Sequence, residues 1–285
     1  MKFFLASFAF VFFSFISCRT HYIPNQGRSQ LSMTEEQAHL LDSILQFGLD
    51  HEALYTLIGD VKPMSSLVSF YYPIANTDSS LKTKGQVLDV KAKQPYLKKI
   101  QTIQKLMAQL NFPDLDFVVL PYQSAQGEMR IVQLSVVRVS KLDSLLQKQQ
   151  SFFGQFGLVP GADPVVVLSM IEGADRYERN RGYGYLFGYP DHAIDFFIDA
   201  TETYDKTGDF VKRNFFNIPA YAGREGFFVY ANASDYKPSI IDSTIYYKSQ
   251  CILEDYSKSR SKYLNSDSTV RAYKLLQDYY SGKIK

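Results

Sequence analysis

The first segment of the chain limits its fold more than any other feature. From Phe3 to Ser17 the residues are apolar apart from three serines, and Lys2 places a positive charge ahead of them. A charged start, an apolar core of this length and a small residue before a cut describe a secretory signal peptide. A membrane-spanning helix needs about 20 apolar residues, and this run stops at Arg19 and His21. The expectation is that residues 1–17 are removed and that the fold is built from the chain beyond them.

The end of the run, Phe15-Ile16-Ser17-Cys18, resembles the lipobox of bacterial lipoproteins: an apolar residue, a variable one, a small one, then a cysteine. The resemblance covers this N-terminal segment only. It implies cleavage before Cys18, a diacylglyceryl thioether on Cys18, and a membrane anchor of two or three acyl chains, each buried methylene contributing roughly 0.8 kcal/mol. Residue 19 is arginine and not the aspartate that marks inner-membrane retention. The implied address is therefore the cell envelope, at the periplasmic or surface face of the outer membrane. The phenylalanine-rich signal, with abundant tyrosine and lysine later, is similar to envelope proteins of Bacteroidota. An acylated Cys18 leaves Cys251, the other cysteine, without a disulfide partner. Cys251 lies in a helical apolar pattern and is expected to be a small buried hydrophobe.

The net charge is +2, so the chain has no electrostatic drive toward nucleic acid. Residues 18–32, polar with Pro24, Asn25 and Gly27, read as a lipidated N-terminus and tether. Residues 33–285 read as one globular α+β domain of mixed helices and a small, mainly antiparallel sheet. Thr34 with Gln37 opens a helix by capping-box logic, and Leu41, Ile44, Leu45 and Leu49 recur at helical spacing. Strands are expected over 66–74, 116–122, 130–139 and 226–231. Helices are expected over 51–58, 94–110, 140–153 (capped by Ser140 and Asp143) and 191–206, with another opening at Asp163-Pro164. The C-terminal remainder is mostly helical, with a break near 265–268.

Several catalytic signatures are absent: the G-x-S-x-G elbow, the phosphate-binding GxxxxGK[ST] loop and paired CxxC. "HEALY", 51–55, has Tyr55 where a zinc-protease helix carries its second histidine. His51 and Glu52 remain as separate candidates. The most unusual stretch is "DRYERNRGYGYLFGYPDHAIDFFIDATE", 175–202. Arg176, Arg179 and Arg181 are suited to a carboxylate or phosphate. Gly182, Gly184 and Gly188 alternate with Tyr183, Tyr185 and Tyr189, materials of a polar ligand site or of a glycine-rich turn into an aromatic strand. Asp191, Asp195, Asp199 and Glu202 then share one helix face, either solvated or part of a divalent-metal site that one helix cannot complete. His192 sits three residues before Asp195, so the carboxylate can orient the imidazole for acid/base work.

These features lead first to a lipid-anchored, non-enzymatic envelope protein that binds a small polar or anionic ligand or an envelope partner. Arg176, Arg179, Arg181, Tyr183, Tyr185 and His51 would form its site, with no cofactor and no metal. The alternatives are a lipid-anchored hydrolase, with His192 and Asp195 as acid/base beside an arginine anion site, and a structural or assembly factor.

Overall fold

Helix α1, Glu35–Asp50, starts as its sequence directs. The Thr34 side chain accepts from the Gln37 backbone, and Gln37 accepts in return from the Thr34 N–H. The structure, a computed structural model, describes residues 33–73, 90–126, 129–223 and 228–284. Residues 1–32, where the signal segment, the lipidated Cys18 and the tether are expected, lie outside the described residues. Met33–Lys285 is one compact unit of α+β class.

After α1 comes a short helix, α2 (Leu54–Leu57), then strand β1 (Met64–Pro73) and helix α3 (Val90–Met107). Strands β2 (Leu115–Gln126) and β3 (Met129–Arg138) follow. Their pairing runs on to Gln126 opposite Met129, further than the expected strand bounds. The sheet is antiparallel in the order β1-β3-β2, so β1 and β2 are its edges.

Period-two alternation sends neighbouring side chains to opposite faces. Val136 joins one core with Leu67, Leu134, the α1 leucines and Ile103 of α3. Val137 joins the other, with Met64 and Val118. That second core is closed by α4 (Val139–Lys148), α6 (Pro164–Gly173), α7 (Arg176–Leu186) and α8 (Asp191–Thr207). A single turn, α5 (Gln150–Phe153), links α4 to α6 and inserts Phe153. Strands β4 (Arg213–Ile218) and β5 (Phe228–Ala233) form a separate antiparallel pair, followed by α9 (Ile240–Arg260) and α10 (Ala272–Tyr280). Helix α10 closes the first core against α1.

Four local expectations are corrected. Ser140 and Asp143 do not cap their own helix: Ser140 Oγ donates to Asp114 Oδ2 at 2.6 Å, and Asp143 accepts from the Gly161 N–H at 2.7 Å. The glycine-tyrosine stretch is helix α7, not a turn into a strand. Strand β4 is an addition to the expected set, because its adjacent Phe215 and Phe216 break the alternation that marks a strand. Cys251 is exposed. The buried positions of α9 are Asp242, Ser249 and Tyr256, and residue 251 points away from that seam at 100° per residue.

Candidate functional site

His192 lies in the first turn of α8, after Pro190. Its Nε2 is 3.3 Å from Asp242 Oδ1, and its ring stacks on Tyr236 at 4.6 Å. Nε2 is buried without hydrogen-bond geometry to any partner. Asp242 is the third residue of α9 and completes a capping box with Ser239. Its carboxylate accepts from the Tyr230 hydroxyl at 2.5 Å, the Tyr236 hydroxyl at 2.6 Å, and the Ser239 N–H and hydroxyl at 2.6 and 2.8 Å. Burial pushes the Asp242 pKa up, but the Tyr230, Tyr236 and Ser239 hydrogen bonds outweigh it and hold it below the usual range.

The expected pairing of His192 with Asp195 is therefore replaced. Asp195 Oδ1 receives Arg181 at 2.6 Å, while the cap of α9 delivers a buried carboxylate from outside α8. Asp242 accepts from four donors, which fix its carboxylate in place beside the imidazole. The cluster ties α8 to β5 and α9.

The arginines are likewise engaged. One terminal nitrogen of Arg176 bridges both oxygens of Asp205 at 2.8 and 2.6 Å, and the Tyr177 hydroxyl adds a third bond at 2.8 Å. These bonds hold Asp205 below the usual carboxylate range. Arg181 is paired with Asp195. Of the three, Arg179 alone has no carboxylate partner among the described residues. Tyr183 donates to buried Glu172 at 2.7 Å, and Glu172 also accepts from the Gln123 N–H. Tyr185 is buried against Phe152 and Phe153. His51 ends α1, with Nδ1 2.8 Å from the Phe47 carbonyl and its ring stacked on Phe47.

The glycines of α7 also have a packing explanation. A Cβ on Gly182 would lie 2.7 Å from Ile171, and one on Gly184 would lie 2.8 Å from Ile194. They let α6 and α8 approach α7 closely, and no ligand is required to explain them. The acidic face of α8 is shared out similarly: Asp191 accepts from Gln149, Asp195 from Arg181 and Glu202 from Lys206. Among the described residues no group of three or more His, Cys, Asp or Glu is placed to hold a metal ion. No described helix is long and apolar enough to cross a membrane.

Two concave features lie elsewhere. A groove of 260 Å³ runs beside the end of β1, lined by Ser69, Phe70, Tyr71, Tyr72, Tyr96, Lys99 and Ile100. A smaller cavity of 90 Å³ lies among α9, α10 and Ile58. Neither is lined by any residue that the sequence nominates for chemistry. The groove is legible in the sequence only as consecutive aromatics, Phe70-Tyr71-Tyr72, whose partners on α3 are remote along the chain. Compared with known proteins, the chain matches no family model, no curated protein and no solved structure.

Proposed function

We propose that this is a lipid-anchored protein of the cell envelope, held through Cys18, that works by binding and not by catalysis. The observation that carries the non-enzymatic reading is the fate of the nominated groups: His192 faces a carboxylate already holding four donors, and Arg176 and Arg181 are neutralised by Asp205 and Asp195. A catalytic imidazole needs a proton partner it can use and a space for substrate beside it. The lipobox resemblance supports the anchor.

The test uses the full chain in detergent micelles. Isothermal titration against acidic and neutral oligosaccharides and anionic metabolites is expected to show saturable binding, unchanged in His192→Ala. Turnover of a chromogenic ester, phosphate or glycoside that is lost in His192→Ala would overturn the reading in favour of the hydrolase.

A further inference from the structure

The groove beside β1 combines three properties. The first is flat aromatic surface. The chain has no tryptophan, and here Tyr71, Tyr72 and Tyr96 line one depression together with Phe70. Tyr71 and Tyr96 are 47 % and 44 % exposed. The second is uncommitted hydroxyls. Tyr183, Tyr230 and Tyr256 each donate to a carboxylate, whereas the hydroxyls of Tyr71, Tyr72 and Tyr96 make no hydrogen bond among the described residues. The third is charge. Lys62, Lys141, Lys206, Lys248 and Lys274 each meet a carboxylate. Lys99 meets none among the described residues, and the Phe70 ring lies 6.0 Å from its ammonium. Among the described residues no acidic one lines the groove.

We propose that this groove binds a saccharide bearing a carboxylate, a reading that deepens the binding function proposed above and rests on it. A sugar has an apolar C–H face for the tyrosine rings and hydroxyls for their phenols, and its acid group meets the Lys99 ammonium. An acidic peptide side chain answers only the lysine. At 260 Å³ the groove falls just below the ~300–1,000 Å³ of sites for drug-sized ligands. One sugar ring of a longer chain therefore fills it. Among the described residues β1 is an edge of its sheet, with no strand paired on its outer side.

The experiment titrates the full chain in micelles with tri-galacturonic acid, its methyl ester, neutral tri-galactose and tri-glutamate. Wild type is expected to prefer the acid over its ester. Lys99→Ala is expected to weaken the acid about tenfold, the loss of one charge-assisted contact, and to leave the ester unchanged. Tyr96→Ala is expected to weaken both. Both side chains are exposed on α3, so unchanged thermal melting serves as the folding control. Equal affinity for acid and ester, wild-type affinities in both variants, or tighter binding of tri-glutamate would each overturn the assignment. If a different ligand binds and neither variant affects it, the groove assignment fails while the binding function stands. His192-dependent turnover would instead overturn the function and the groove together.

Discussion

Lys62 and Glu52 form a 2.6 Å ion pair whose ammonium is wholly shielded from solvent. The ammonium lies 4.3 Å from the centre of the Phe228 ring and 5.5 Å from that of Phe187. Burial pulls the Lys62 pKa down, and Glu52 only partly restores it. Removing one partner of such a pair strands a buried charge, at a cost of about 3–5 kcal/mol. Glu52→Ala is expected to lower the urea midpoint accordingly. Lys62→Met in the same chain removes the stranded charge and keeps most of the volume, so the double variant is expected to regain most of the loss. A double variant as unstable as the single one would show that Glu52 contributes something other than this pair.

Acid should act through the carboxylates held below their ordinary range, Asp278 and Asp242 among them. Lys274 foremost, with Lys283 and Tyr263, holds Asp278 down at about 2 against an upward push from burial, and Asp242 is also held low. A carboxylate with a depressed folded pKa stabilises the fold above its unfolded value of 3.8. That contribution disappears as pH falls through the folded value. The melting temperature followed by circular dichroism should therefore fall between about pH 4 and pH 2, and Asp278→Asn should flatten that slope. Asp242→Asn is expected to cost about 3 kcal/mol already at neutral pH, because it breaks a buried network of charge-assisted bonds.

Helix α7 should resist improvement. Glycine to alanine inside a helix ordinarily gains up to about 1 kcal/mol. At Gly182 the new methyl would press on Ile171, which is fully buried and branched at Cβ, and overpacking costs about 1–3 kcal/mol. Gly182→Ala is expected to lower the melting temperature. Combined with Ile171→Ala, the two losses should sum to more than the double variant shows, as coupled neighbours do. Strict additivity would contradict the packing argument.

The cysteines should separate by chemistry. Cys251 is exposed and is expected to take one maleimide per chain without denaturant. Cys18 is expected to incorporate radiolabelled palmitate in cells, and Cys18→Ala to lose both the label and the membrane fraction. A Cys18→Ala protein that still sediments with membranes would remove the anchor from the proposed function.

Local signals are legible where one short segment carries the whole cause. Thr34 and Gln37 close a capping box within one turn, and Asp163-Pro164 opens α6 with its side chain on the Val165 N–H. The leucines of α1 record which face of that helix is buried. The sequence alone therefore determined most helices, four of the five strands and the α+β class. Partner choice between distant segments belonged to the tertiary structure. His192 had Asp195 at helical spacing, yet packing set it against Asp242, about fifty positions on, because the α9 cap buries that carboxylate beside the imidazole. Glu52 found Lys62, Arg181 took Asp195, and Tyr72 came to share a groove with Tyr96. Charges and rings at the ends of flexible side chains have no periodicity that names a partner. Burial and the reach of neighbouring elements decide the pairing, and both exist only once the layers have packed.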